Sequence, residues 1–325
     1  MKFEPRAALN GLILGAFAVF SLAAQAQTYP NRAVTIVVPY PPGASTDQLV
    51  RLVQPKLAAG LGQPVVVENR GGAAGNVGSA LVARSTPDGY RILLTTDAVV
   101  TLNPYVYKDM GFDPVKDLSP ITTAVNAVLG IAVHPSLPVN NLAELIDYAR
   151  KNPKKVFFGT AGSGSPQHVA GEMLNRRAQV QLVHVPYKGG GPAIADLLAG
   201  HIKMGISTIS AMVPHLGSGN IRIIAIGERT RFEGTPNIPT IAETLPEFEA
   251  SAWLAFFAPA GTPRDIVNRL NAELVKALNA GDVKAKLLGL GLLVVGDRPE
   301  QLAAKLKADF ERRGKILREV GIKPE

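Results

Sequence analysis

Short apolar runs rich in β-branched residues alternate along the chain with longer segments of helical period. The runs predict buried strands at 34–39, 65–69, 92–95, 130–133, 156–159, 182–185, 204–207, 221–226 and 254–258. The segments between them predict helices at 47–61, 77–85, 142–152, 167–177, 192–199, 264–279 and 299–319. This alternation is typical of mostly parallel sheets covered by helices, so the pattern predicts an α/β fold.

The N-terminus has the features of a secretory signal. A basic start precedes an apolar run over 12–24 that is too short to remain as a membrane span. Ala24 and Ala26 supply the small residues that a signal peptidase requires. We therefore predict a signal peptide over 1–26, cleaved after Ala26, and a periplasmic location for the mature protein.

Length and cysteine usage predict the domain organisation. The chain has 325 residues and no cysteine, so core burial alone must hold the fold and no lipoprotein anchor can be attached. A chain of this length normally divides into two domains. We expect a discontinuous first domain, 27–126 plus 250–325, and a continuous second domain, 127–249.

The charge pattern argues against a nucleic-acid partner. The formal net charge is +8, but basic residues are interleaved with acids and no basic run contains interspersed aromatics. Most of these charges are expected on solvated helix faces. The modest excess of positive charge suits a small anionic partner.

Three glycine-containing or hydroxyl-containing loops carry the candidate chemistry, at 40–47, 160–168 and 187–192. Each follows a predicted strand and opens a predicted helix. This places all three at the carboxyl ends of parallel strands, where open α/β sheets bind ligands.

Such loops suit a carboxylate. The first turn of a helix has backbone N–H groups without partners, and glycine lets a ligand approach them closely. Hydroxyl groups add neutral donors, so no buried cation has to be desolvated when the site is empty. The candidate ligand-binding residues are Tyr40, Pro42, Gly43, Ala44, Ser45, Thr46, Asp47, Thr96, Thr160, Ala161, Gly162, Ser163, Gly164, Ser165, His168, Tyr187, Ser207 and Thr208.

A purely structural interpretation of each loop remains open at this point. The glycines can simply make turns, and Ser45 and Ser165 can be ordinary helix caps. Asp47 can stabilise a helix dipole or contact a ligand amine. The three loops form one site only if the two-domain arrangement is right.

Enzymatic and cofactor motifs are missing from the sequence. Gln167 occupies the third glycine position of a dinucleotide fingerprint, and neither a phosphate-loop lysine nor a G-x-S-x-G elbow occurs. No second ligand is spaced to bind a metal with His168. We expect no cofactor, no metal and no enzymatic activity. A hydrolase using Ser163 or Ser165 with His168 is the weaker alternative, because no third group is evident.

Several motifs resemble those of the Bug-type receptors of the tripartite tricarboxylate transporter family, and the likeness covers 29–322. They are Pro39-Tyr40-Pro41-Pro42-Gly43 with Asp47, Val67-Glu68-Asn69-Arg70 leading to Gly75, Pro87-Asp88-Gly89-Tyr90, the segment 160–168, His184-Val185-Pro186-Tyr187-Lys188-Gly189, Pro239-Thr240 with Glu243, and Ala258-Pro259-Ala260-Gly261-Thr262-Pro263.

The resemblance implies a periplasmic binding protein fold of type II, with two doubly wound α/β domains joined by crossing hinge strands. It implies that the loops at 40–47 and 160–168 hold a small organic carboxylate through backbone amides, hydroxyls and ordered water. It also implies delivery to integral membrane permease subunits. A ligand sensor that acts on a sensor kinase is the alternative output, and we expect a monomer.

Two departures from the family pattern bear on the ligand. Ala44 stands where a second glycine is usual, and Gly205-Ile206-Ser207-Thr208 replaces a segment that commonly ends in Phe-Asp. The missing acid weakens the case for an amino-acid ligand. A plain mono- or dicarboxylate, including an aromatic one, is favoured instead.

Overall fold

The computed structural model describes residues 29–43, 45–163, 165–187 and 189–319. The predicted signal peptide at 1–26 lies outside these residues, as do two predicted site residues, Ala44 and Gly164. The side chain of Ser45 is also outside the described part. No described helix is long and apolar enough to cross a membrane.

The strands and helices alternate through most of the described chain. The strands are β1 (Val34–Val38), β2 (Val65–Asn69), β3 (Arg91–Thr96), β4 (Leu118–Ala127), β5 (Leu129–Val133), β6 (Phe157–Thr160), β7 (Val183–Pro186), β8 (Met204–Thr208), β9 (Arg222–Ile226), β10 (Ala252–Pro259) and β11 (Leu292–Val294). The α-helices are α1 (Ser45–Leu61), α2 (Asn76–Ala83), α3 (Asp97–Thr101), α4 (Asn103–Val106), α5 (Leu142–Lys151), α6 (Pro166–Ala178), α7 (Gly190–Leu198), α8 (Ile209–Met212), α9 (Arg264–Leu278), α10 (Gly281–Gly289) and α11 (Pro299–Glu319).

The strands form two sheets of the same design. The first has the order β11-β4-β10-β3-β1-β2 and the second has the order β7-β6-β8-β5-β9. Three adjacent strands are parallel in each sheet: β2-β1-β3 in the first and β7-β6-β8 in the second. The next strand, β10 in the first sheet and β5 in the second, enters from the other sheet and runs antiparallel to both of its neighbours. The predicted fold class, two doubly wound α/β units joined by crossing strands, is confirmed.

Each sheet has its own buried core. Val34, Ile36 and Leu94 of the first sheet pack with α1 and α9 on one face, whereas Trp253 and Phe257 pack on the opposite face. The second sheet buries separate clusters on its two faces. Burial of apolar side chains therefore supplies each unit with its main stabilisation, as a chain without cysteine requires.

The chain crosses between the sheets twice, from Ala127 to Leu129 and from Ile226 to Ala252. Val128, at the first crossing, donates its N–H to the Gly291 carbonyl (3.2 Å) and accepts a hydrogen bond from Ile209 N (2.9 Å). One buried residue is thus bonded to both units. On this basis we propose the domain division 27–126 plus 250–325 and 127–249, with the crossings as the hinge.

The C-terminal helix α11 contacts both units. Arg313 is buried and forms an ion pair with buried Asp97, and it donates to Thr101 Oγ1 at 2.9 Å. Further along the same helix, Leu317 packs with Leu102 and with Val169 of α6. The helix therefore ties the start of α6 to the first sheet.

The pattern missed β4, β11, α10 and the short helices α3, α4 and α8. In β4, Pro120 and two buried threonines interrupt the apolar run. Thr122 and Thr123 donate to Asp297, and the Thr123 hydroxyl lies 2.8 Å from Asp297 Oδ2. A partner so distant in the sequence cannot be detected from a local pattern, which is why the strand was not predicted.

Candidate functional site

The loops singled out in the sequence all lie at the carboxyl ends of parallel strands. The segment 39–44 joins β1 to α1, 161–165 joins β6 to α6, and 187–189 joins β7 to α7. Thr96 and Thr208 end β3 and β8 and lie at the same edges of their sheets. These edges are where ligands bind in open α/β sheets.

In the first domain, Tyr40 is fixed by hydrogen bonds on two sides. Its hydroxyl lies 2.7 Å from Thr96 Oγ1, and its carbonyl accepts from Asn69 Nδ2 at 3.1 Å. Burial raises the pKa of Tyr40 to about 12, so the phenol stays protonated at neutral pH. Tyr40 and Thr96 therefore present a neutral hydroxyl pair at the edge of the sheet.

Asp47 holds the first loop in place. Its carboxylate accepts hydrogen bonds from Gly43 N (3.0 Å), Arg51 Nε (2.9 Å) and Asn69 Nδ2 (3.1 Å). The Arg51 hydrogen bond, with smaller contributions from the Gly43 amide and Asn69, holds the Asp47 pKa below its ordinary value. With three donors from its own chain, Asp47 has the geometry of a loop-positioning acid, and Asn69 is a residue that the site prediction missed.

The loop leaves open space beside its backbone. Gly43 has φ +90°, and a Cβ built there would meet nothing within 4 Å. Pro42 beside it is exposed. Thr46 is 1% exposed, and its Oγ1 has no hydrogen-bond partner within the described residues. A buried hydroxyl without a partner is costly, so Thr46 has bonding capacity that a ligand or water can use.

In the second domain, Thr160 and Ser165 shape the corresponding loop. Thr160 Oγ1 lies 2.6 Å from His184 Nε2 and accepts from Gly162 N at 3.2 Å. Ser165 caps α6, because its hydroxyl accepts from His168 N at 3.2 Å and donates to the Gly162 carbonyl at 2.7 Å. The cap leaves Ser163 exposed at the tip of the loop.

Two stacked histidines support this loop. The rings of His168 and His184 are 3.7 Å apart and inclined by 12°. Burial lowers the pKa of His168, and burial followed by the neighbouring His168 lowers that of His184 to about 4. Both rings are therefore neutral at pH 7. His184 was quoted in a motif but not predicted as a site residue, because its contact with Thr160 depends on the pairing of β6 with β7.

The remaining predicted residues are connected to the same loop. Tyr187 N donates to the Thr160 carbonyl at 3.2 Å, while its hydroxyl donates to Asp196 Oδ2 at 2.7 Å. The Ala161 carbonyl accepts from Gly189 N at 3.2 Å. Ser207 is buried on the neighbouring strand.

Thr208 ends β8 beside this cluster, and its hydroxyl accepts from Ser210 Oγ at 3.0 Å. The described site residues thus form two groups, one on each sheet. The first group is Tyr40, Pro42, Gly43, Ser45, Thr46, Asp47 and Thr96, and the second is Thr160, Ala161, Gly162, Ser163, Ser165, His168, Tyr187, Ser207 and Thr208.

The hydroxyl and backbone N–H groups of these loops are neutral donors. The Ser165 hydroxyl contacts the His168 backbone N–H and not the imidazole, so this pair has the arrangement of a helix cap and not of a nucleophile and its base. Within the described residues, no group of three or more His, Cys, Asp or Glu side chains is placed to hold a metal ion.

Comparison with known proteins identifies the family of this chain. The model of the tripartite tricarboxylate transporter family receptor matches residues 49–322. Protein BugT of Bordetella pertussis is 35% identical over 300 residues, which cover 92% of this chain and 92% of BugT.

Two solved structures with named ligands are also similar. Rpa4515 of R. palustris with adipate is 34% identical, with a TM-score of 0.79 over 91% of this chain and 100% of the other. MatC from Rhodopseudomonas palustris with bound malate is 31% identical, with a TM-score of 0.73 over 89% of this chain and 100% of the other. The chain therefore belongs to the receptors of the tripartite tricarboxylate transporter family, which are solute-binding proteins.

Proposed function

We propose that this protein is a periplasmic receptor that captures a small organic carboxylate between its two domains and delivers it to the membrane subunits of a tripartite tricarboxylate transporter. A dicarboxylate is the favoured ligand, because similar receptors were solved with adipate and with malate. The observation that carries the proposal is the pair of neutral, pre-positioned loops at equivalent edges of two sheets of the same topology.

The loops can replace the hydration of a carboxylate without a buried counter-ion. Residues at the first turns of α1 and α6 present backbone N–H groups, and Tyr40, Thr46 and Thr160 add hydroxyls. The bonds to Asp47 and Ser165 orient these loops before the ligand arrives. Pre-orientation lowers the entropy lost on binding.

Closure of the two domains follows from the position of the loops. A ligand that contacts both groups does so only when the domains approach each other, so its binding shifts the population towards the closed state. The crossings at Val128 and at 227–251 are the segments that would bend. In the closed state the receptor presents a different surface to its membrane partner.

Addition of adipate or malate to the full chain should raise the melting temperature. A ligand at about one hundred times its Kd stabilises the folded state by about 2.7 kcal/mol, which corresponds to about 5 °C for a protein of this size. Differential scanning fluorimetry measures the shift, and the uncharged diamide of adipic acid is the control. The proposal is wrong if none of a series of aliphatic and aromatic carboxylates shifts the transition.

Gly43→Ala should weaken carboxylate binding by about tenfold, because the methyl group enters the open space beside the loop and the residue must keep φ +90°. Gly219→Ala is the matched control: Gly219 has φ +72° and the same open surroundings, in a segment away from both loops. Both variants should lose about 1 kcal/mol of stability from backbone strain. Titration calorimetry should detect lost affinity only in Gly43→Ala; equal affinity in the two variants would remove the first loop from the site.

Acidification should destabilise the protein between pH 6.5 and about 4. Because the pKa of His184 falls from 6.5 to about 4 on folding, the unfolded chain binds more protons in this window. The contribution of neutral His184 to the free energy of unfolding is fully present above pH 6.5 and is lost as the pH falls towards 4. Allowing for solvent screening of this half-buried ring, we expect about 1 kcal/mol less stability at pH 5 than at pH 7.5.

Urea unfolding at the two pH values measures this loss. His184→Gln should reduce the loss of stability between the two pH values. An unchanged pH dependence in His184→Gln would mean that this ring is not held neutral beneath the loop.

A further inference from the structure

The first domain contains a second concave surface, outside the two loop groups. A cavity of about 980 Å³ lies along α2, between that helix, the end of β2 and the loop 109–111. We call it the outer groove. Its volume is within the range of small-molecule sites in proteins.

One wall of the outer groove is apolar and open to solvent. Val77 is 53% exposed and Leu81 is 37% exposed on α2, and Ala80 and Met110 line the same cavity. Large apolar side chains that share an exposed concave surface commonly mark a binding site. This wall suits a hydrocarbon chain or ring.

Two arginines at the end of this wall have no carboxylate partner among the residues that the structure describes. Arg84 donates to the Gly111 carbonyl at 2.6 Å, and Arg91 Nη1 lies 3.4 Å from Ser85 Oγ. Arg91 Nε is buried and has no hydrogen-bond partner within the described residues. A guanidinium group without an acidic partner is suited to bind a carboxylate, because the carboxylate can accept two parallel hydrogen bonds from it.

The acids that line the outer groove are already engaged. Glu68 forms an ion pair with Arg70. Asp109 Oδ1 accepts from Gly111 N at 2.7 Å. The lining holds three arginines (Arg70, Arg84 and Arg91) and two acids (Glu68 and Asp109), so its net charge is positive and suits an anion.

A second donor without a partner lies at the opposite end of α2. Asn76 lines the cavity and is 3% exposed; its Oδ1 accepts from Asn103 Nδ2 at 2.7 Å, but its own Nδ2 has no partner within the described residues. The helix from Asn76 to Arg84 is about 12 Å long. The two sets of free donors thus lie at the two ends of an apolar wall.

We propose that the outer groove binds an elongated amphipathic organic anion. Its carboxylate lies against Arg84 and Arg91, and its apolar chain lies along Val77 and Leu81. This site is separate from the loops that hold the transported solute, although Gly75, next to Asn76, packs against the Tyr40 hydroxyl.

Decanoate tests the proposal, with titration calorimetry on the full chain. Decanoate should bind saturably, and Arg84→Gln and Arg91→Gln should each weaken it about tenfold. Arg264→Gln, which removes the same charge from an exposed ion pair with Glu300, should leave the affinity unchanged. Butanoate has the same carboxylate but a short chain, and it should bind at least about thirtyfold more weakly.

Saturating adipate separates the outer groove from the interdomain site. Decanoate affinity should be the same with and without it, and circular dichroism melting curves verify that each variant is folded. Three results would each overturn the proposal: no saturable binding of decanoate to the wild-type chain, wild-type affinity for decanoate in both arginine variants, or full competition by adipate. Each of these can occur while the interdomain site still binds adipate, so failure here does not depend on the proposed function.

Discussion

A carboxylate that leaves water must find hydrogen-bond donors that are already oriented, or its desolvation is not compensated. In this protein the proposed donors are backbone amides and neutral hydroxyls at the starts of helices, and their orientation depends on a few side chains of the same loops. Asp47 performs this role in the first domain through Gly43, and Ser165 performs it in the second through His168. The orientation of the proposed donors therefore depends on side chains that hydrogen-bond to the backbone of their own loop.

The same constraint explains why a neutral support lies beneath the second loop. His184 contacts Thr160 and stacks on His168, and burial keeps both rings uncharged at pH 7. A charged side chain buried at this position would need partners that offset its desolvation, as Asp47 has in the first loop. A neutral imidazole holds the threonine hydroxyl without that cost.

Hydrogen bonds at the two crossings link the two domains. Val128 is hydrogen-bonded to Gly291 on one side and to Ile209 on the other. At the return crossing, Gly227 donates its N–H to the Leu129 carbonyl and accepts a hydrogen bond from Ala250 N. A Cβ at Gly227 would lie 2.0 Å from the Ala250 carbonyl oxygen. The crossings are thus closely packed, and rotation of one sheet relative to the other must pass through a few backbone positions.

The features predicted from the sequence are those that local patterns determine. Alternating apolar runs and helical segments predicted the α/β fold, and the helix predicted at 142–152 corresponds to α5. Long-range contacts decided the rest. At Gly60, for example, a Cβ would lie 2.0 Å from Oε2 of Glu273 on α9, a contact that no local pattern indicates.

Within the site, the loops followed from their glycines and hydroxyls, whereas the roles of individual residues did not. The three donors that occupy the Asp47 carboxylate include Asn69, which reaches it from another strand. The contact of His184 with Thr160 likewise requires the register of two strands. Pairings of this kind are set by the sheet and leave no periodic signal in the sequence.

A crystal structure of the full chain with bound adipate would show which donors hold the carboxylate. We expect one carboxylate group to lie about 2.7–3.1 Å from backbone N–H or hydroxyl donors of the loops 40–47 and 160–165, with contacts from both domains. A lysine or arginine side chain, Lys188 included, that held this carboxylate would contradict the proposed site, as would a ligand that contacted one domain alone.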